Sequence, residues 1–264
     1  PYRFAISGGN HAGWGYWCHS LYSMVPPFLY DTHPEYFSEI NGKRIAPVGK
    51  EGGTQLCLTN PDVLKLSVEK LRKEMSKPVT GMPVWADSTA TYWSISQMDG
   101  NGNCTCDECK RLDKYDGSPS GSILSYVNKV AAKFPHKKIA TLAYIYSRKA
   151  PRYTKPAPNV AIQLCAIETA RDGINLPITS SPIHASFRND FQEWGRICND
   201  IVVWDYVVQF QNLISPFPNF SVMQDNIQFY IKNNATGIFC QGNREKGGEF
   251  AELRGYLLSK LLWN

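Results

Sequence analysis

A rhythm of short β-rich runs, loops and amphipathic helices constrains this chain more than any other feature. Strands are expected at residues 3–7, 55–58, 92–97, 139–144, 160–164, 201–206 and 237–241. Helices are expected after most of them. One has Asn60 as its N-cap and Pro61 at the first helical position, with Leu64, Val68, Leu71 and Met75 at helical spacing and Val63 beside them. A second opens with Ser118 and Pro119 and carries Ile123, Leu124, Val127, Val130, Ala131 and Phe134 on one face. Ser186 is read as the cap of a helix bearing Phe187, Phe191, Trp194 and Ile197, and Ser221 as the cap of one bearing Met223, Ile227, Tyr230 and Ile231. The last helix carries Phe250, Leu253, Leu257, Leu258, Leu261 and Leu262. Such alternation predicts an α/β fold with a parallel sheet covered by helices.

Two closures suit that pattern: a doubly wound open sheet and an eight-stranded barrel. A dinucleotide-binding open sheet carries a G-x-G-x-x-G turn after its first strand. Here the loop reads Gly8-Gly9-Asn10-His11-Ala12-Gly13, and no G-x-x-x-x-G-K-[ST] phosphate loop occurs either. The expected fold is therefore a (β/α)8 TIM-type barrel, incomplete in this chain. Its 264 residues suit one domain spanning 1–264. The chain begins at Pro1 and stops within or just after an apolar helix, so it is expected to be part of a longer one.

Composition narrows the function. The formal charge is 28 − 23 = +5, and the basic residues are scattered rather than gathered on one stripe, so no nucleic-acid partner is expected. No run approaches the roughly 20 apolar residues of a membrane span. A core accounts for many of the seven Trp and fourteen Tyr, and the count is also what a sugar site needs, because an aromatic face stacks on the C–H face of a sugar ring.

In a barrel the reactive residues lie at the C-terminal ends of the strands. Those ends offer three carboxylates, Asp99, Glu168 and Asp205. Asp205 closes the apolar run Ile201-Val202-Val203-Trp204 and must face a polar cavity or a partner, since an isolated buried charge is costly. Glu168 follows a strand, and Asp99 precedes Gly100 in a turn. Paired carboxyl groups are what glycoside hydrolysis needs, one to protonate the leaving oxygen and one to act as nucleophile or base. Glu168 is assigned as acid and Asp205 as nucleophile or base. His11, Trp14, His19, Tyr144, Tyr146, Tyr206, Gln241, Arg244 and Glu249 are the expected carbohydrate-binding residues. A non-catalytic carbohydrate-binding barrel is the alternative. The histidines show no H-E-x-x-H spacing and no G-x-S-x-G elbow occurs, so catalytic zinc and serine hydrolase chemistry are disfavoured.

Cys104-Thr105-Cys106-Asp107-Glu108-Cys109 places three thiols in one loop. They suit a structural zinc with Cys57 as the fourth ligand, or a disulfide set if the chain is exported. Cys18, Cys165, Cys198 and Cys240 read as ordinary buried thiols.

Several runs together resemble a bacterial family of unknown function, number 4838. They include Ser94-Ile95-Ser96-Gln97-Met98-Asp99 with the cysteine cluster, His33-Pro34-Glu35-Tyr36-Phe37, and Gln55-Leu56-Cys57-Leu58-Thr59-Asn60-Pro61. Trp204-Asp205-Tyr206, Pro216-Phe217-Pro218-Asn219 and Gly248-Glu249-Phe250-Ala251-Glu252-Leu253 fit it too. The family is grouped with barrel glycoside hydrolases and is similar in architecture to α-glucuronidases and family 20 hexosaminidases. The resemblance implies that Glu168, Asp205 and Asp99 face the site, that Cys57 belongs with the cysteine cluster, and that the protein is exported to the periplasm or cell surface. Its pattern commonly has an acid where this chain has Cys240.

Overall fold

In a computed structural model, residues 13–48, 54–77, 90–171, 173–210, 212, 215–242 and 250–263 are described. The expected first strand at 3–7 lies outside them. Five strands line up in the order β3 (Tyr92–Ser94), β4 (Lys138–Ala143), β5 (Val160–Cys165), β6 (Ile201–Tyr206), β7 (Ala235–Gln241). They make a parallel sheet. The spatial order equals the chain order, with no reversal. A doubly wound sheet reverses at its switch point, whereas successive βα units of a barrel run on in sequence. A separate two-stranded hairpin, β1 (Glu39–Ile40) and β2 (Lys43–Arg44), pairs antiparallel.

The described residues divide into two compact units, a first that ends at Ile162 and a second that begins at Gln163. In the first, the backbone from Gly13 to Tyr16 runs beside β3: Tyr92 N–H donates to Gly13 O at 3.0 Å, Gly15 N–H to Tyr92 O at 2.8 Å, and Ser94 N–H to Tyr16 O at 3.1 Å. Gly15 is required there, because a Cβ would stand 2.4 Å from the Trp93 ring. A short helix, α1 (Leu21–Met24), follows. Residues 55–58 differ from expectation. Leu56 bridges antiparallel to Phe37, so this segment supports the long first loop and is no strand of the parallel sheet.

Helix α2 (Pro61–Met75) begins as its sequence dictates, with the Asn60 side chain accepting from Asp62 N and Val63 N. Its buried seam is Val63, Ser67, Val68, Leu71 and Glu74, while Leu64 and Met75 are half-buried. The inward face is thus turned towards Ser67 because Tyr126 of α4 (Ser120–Ala131) donates its hydroxyl to Ser67 Oγ at 2.5 Å. Between them in sequence comes α3 (Asp107–Asp116), a helix within what the sequence presents as the cysteine loop. Asn159 closes the end of α4 by donating its amide to the carbonyls of Ala131, Phe134 and Lys137.

In the second unit, α5 (Ile167–Arg171) follows β5 directly. Helix α6 (Ala185–Ile197) buries Phe187, Phe191 and Trp194. It starts after a 3-10 turn at Pro182–His184, so Ser186 lies inside it and is not its cap. Helix α7 (Met223–Lys232) starts after Val222, and Ser221 makes no cap bond there. It buries Met223, Ile227, Phe229 and Tyr230, with Ile231 exposed. The last helix, α8 (Ala251–Trp263), departs furthest from expectation. Its one buried residue among those described is Arg254, and Phe250, Leu253 and Leu262 are exposed. A cation anchors it in place of the leucines: Arg254 stands 4.2 Å from the Phe220 ring centroid and donates to Asn219 Oδ1 and Phe217 O. No helix among the described residues is long and apolar enough to cross a membrane.

Candidate functional site

Three of the expected site residues meet in the first unit, at the C-terminal ends of β3 and β4. Beyond β3 the backbone continues through buried Ser96, Gln97 and Met98 to exposed Asp99. Beyond β4 comes Tyr144, whose hydroxyl donates to Asp99 Oδ1 at 3.1 Å. The His19 ring lies 6.2 Å from the Tyr144 ring, and its Nδ1 is 2.8 Å from Gln97 O. Gln97 ties the group together: its amide donates to Tyr144 O at 3.2 Å, and Ser147 Oγ donates to its Oε1. Cys18 belongs to the same surroundings, its thiol pushed up to about 12 by burial and then by the Asp99 charge.

The backbone is strained at one member of this group and beside another. His19 has φ +48° and Ile145, which follows Tyr144, has φ +51°. A β-branched residue in the left-handed region is a genuine outlier. Such strain persists only where surrounding contacts enforce it, and it concentrates at functional sites. Gln97, Ser147 and Ile145 were not candidates from sequence. The available signal was the polar run Ser94, Ser96, Gln97 leading out of a buried strand, since buried polar side chains require partners.

Other expected members lie elsewhere. Trp14 bridges to Tyr92, the first residue of β3, and stacks on its ring at 4.7 Å. It is therefore at the N-terminal end of that strand, not with His19. The physical reason is direction: the 13–20 segment runs parallel to β3, so five residues carry the chain about 16 Å from one end to the other. Tyr146 lies near Asp113 of α3, whose charge adds to the burial that raises its hydroxyl. His11, Arg244 and Glu249 fall outside the described residues.

The second unit holds Asp205, Tyr206, Gln241 and Glu168. Alternation along β6 sends Asp205 to one face and Trp204 and Tyr206 to the other. Asp205 faces the helices: Tyr230 of α7 donates its hydroxyl to Oδ1 at 3.4 Å. Burial pushes its carboxyl up to about 6, while the Tyr206 N–H, the Tyr230 hydroxyl and the Arg254 charge pull the other way. Asp205 lines a cavity of about 20 Å³ with Thr169, His184, Asn219 and Asn226. Glu168, half-buried in the first turn of α5, is not among the lining residues. On the opposite face Trp204 stacks with Tyr206, and its Nε1–H donates to Gln241 Oε1 at 2.7 Å.

Cys57, Cys104, Cys106 and Cys109 form a separate centre in the first unit, their sulfurs all within 4.8 Å of one another. None of the eight cysteines is in a disulfide. Cys57 Sγ and Cys106 Sγ are 3.7 Å apart, far beyond the roughly 2.05 Å of a disulfide. Hydrogen bonds from the Cys104 and then the Cys109 thiol lower the pKa of Cys57, which favours its thiolate.

Among solved structures, the chain is similar to a GH36 α-galactosidase from Geobacillus stearothermophilus in complex with raffinose (11% identity, TM-score 0.39, 89% of this chain and 28% of that one). It is also similar to endo-glycoceramidase II from Rhodococcus sp. (8% identity, TM-score 0.36, 72% and 42%). A third is a GH20 module of the pneumococcal exo-β-D-N-acetylglucosaminidase StrH (13% identity, TM-score 0.34, 79% and 49%). The chain spans less than half the length of each of these proteins. No curated protein matches it. The sequence model of one family spans residues 3–264, so the chain belongs to the family described as Domain of unknown function (DUF4838).

Proposed function

We propose that the chain is part of a (β/α)8 barrel that binds carbohydrate and hydrolyses a glycosidic bond with carboxylates at its strand ends. The observation that carries this reading is the Asp99–Tyr144–His19 group, with strained backbone at His19 and at Ile145, at the C-terminal ends of neighbouring parallel strands. A carboxylate that accepts from a tyrosine hydroxyl keeps further lone pairs for sugar hydroxyls, and the imidazole beside it can donate or accept. In the reaction one carboxyl group gives its proton to the leaving oxygen, and a second carboxylate attacks the anomeric carbon or activates water. Each carboxylate is proposed within its own unit: Asp99 as a sugar-binding carboxylate of the first, and Glu168 as a proton donor of the second. Asp205 is proposed in a supporting role, since its hydrogen-bond partner lies on α7.

The test is a panel of polysaccharides and glycans, assayed for new reducing ends. A cleaved substrate should emerge, and Glu168→Gln and Asp99→Asn should each lower turnover by about 100-fold or more at an unchanged melting temperature. Full turnover in both variants overturns the assignment. The second reading, a carbohydrate-binding barrel without catalysis, is favoured by the turning of Asp205 to the helices. Calorimetric binding of a glycan that no condition cleaves establishes it.

A further inference from the structure

We propose that Cys57, Cys104, Cys106 and Cys109 hold one zinc ion in a closed, structural tetrathiolate site. Four sulfurs at the corners of a tetrahedron around a zinc, with bonds of about 2.3 Å, stand about 3.8 Å apart along each edge. The Cys57–Cys106 separation is 3.7 Å, and no pair exceeds 4.8 Å. Four thiolate donors at this spacing suit a single soft-tolerant ion, zinc before the harder, oxygen-seeking cations.

The surroundings are those a thiolate centre needs. A Zn(Cys)4 centre carries two net negative charges, and donors around it stabilise that charge. Glu39 N–H points at Cys104 Sγ from 3.3 Å, and the Arg44 guanidinium reaches the same sulfur at 3.8 Å. Thr59 Oγ1 is 3.5, 3.7 and 3.3 Å from the sulfurs of Cys57, Cys106 and Cys109. Cys106 is the N-cap of the ten-residue helix α3, so the positive end of that helix adjoins the sulfurs. Cys57, Cys104 and Cys109 are buried, with exposures of 4%, 5% and 1%. With four protein ligands the ion has no open position for a substrate, which makes it structural.

The site joins three parts of the first unit. Cys57 comes from the segment before α2, Cys104 to Cys109 from the start of α3, and the β1–β2 hairpin supplies Glu39 and Arg44. Thr105 fastens the same hairpin, donating from its N–H and its hydroxyl to Glu39 O. Two residues before Cys57, Gln55 accepts from Met98 N and donates to Met98 O and Asn101 O, thereby clamping the turn that bears Asp99.

The test begins with the unmodified chain, purified without chelator under reducing conditions and analysed for metal by mass spectrometry. One zinc per chain is expected. Exchange for cobalt(II) should give the thiolate charge-transfer and strong red absorption bands of tetrahedral sulfur coordination. Cys57→Ser and Cys109→Ser should lose most of the metal, whereas Cys198→Ser, whose thiol lies outside the cluster, should keep it. Stripping the zinc from the unmodified chain should lower its melting temperature. A folded, metal-free chain that takes up neither zinc nor cobalt overturns the proposal, and stoichiometric iron in place of zinc overturns the choice of ion. None of these readouts depends on glycan turnover, so this site and the proposed activity stand or fall separately.

Discussion

Burial holds the Asp205 carboxyl at about 6, above the 3.8 of an unfolded aspartate, so between those values the native state binds the extra proton. Its contribution to stability is complete below about 3.8 and is lost as pH rises through about 6. Asp205→Asn mimics the protonated form. The variant should therefore lose less melting temperature than the parent between about pH 4 and pH 7, as thermal melts across that range will read. Equal losses in the two proteins would show that Asp205 does not carry this dependence. The need for a partner at Asp205 was legible in sequence, because a carboxylate ending an apolar strand cannot stand alone. Which face it takes was not. Alternation separates it from Trp204 and Tyr206 but does not say which side the helices cover, and only Tyr230 and Arg254 decide that. The position of Trp14 was not legible for a similar reason: its placement needs the pairing with Tyr92, a contact 78 residues away along the chain (92 − 14).

Elements with strong local signals matched expectation closely. Helix α2 starts at Pro61 behind Asn60, and β6 occupies Ile201–Tyr206 as expected. The cap is a measurable part of that agreement. Asn60→Ala should destabilise the first unit by about 1 kcal/mol in denaturant unfolding, because two N–H groups of the first turn lose their acceptor. An unchanged midpoint would mean that water satisfies those donors equally well. Helix α3 escaped the sequence because Asp107-Glu108-Cys109-Lys110-Arg111-Leu112-Asp113-Lys114 presents no apolar stripe; its buried residues are Cys109 and Asp116. Asp116 explains the end of that helix. Its carboxylate accepts from Tyr153 N, Thr154 N and Thr154 Oγ1, so a chain 37 residues further on fixes it in place. Serines 186 and 221 misled because a hydroxyl residue before an apolar run is a common cap, yet a 3-10 turn ahead of α6 moved that boundary upstream.

At the scale of the whole chain, the unbroken order β3-β4-β5-β6-β7 is the part of the barrel expectation that alternation alone could supply. Five strands in sequence are present; closure with eight is part of the proposal. The cysteine centre bears on how such an order is reached. With an ion on the four sulfurs, the chain from Cys57 to Cys104 becomes a ring of 104 − 57 = 47 residue steps that contains α2 and β3. By the cross-link entropy argument, a ring of that size removes about 4 kcal/mol of freedom from the unfolded chain. Refolding from denaturant should accordingly be faster with zinc present than with a chelator, followed by stopped-flow tryptophan fluorescence; equal rates would mean that the ion joins after the rate-limiting step. The ring turns a distant encounter into a local one, so that a helix and the first strand of the sheet are tethered before either has formed.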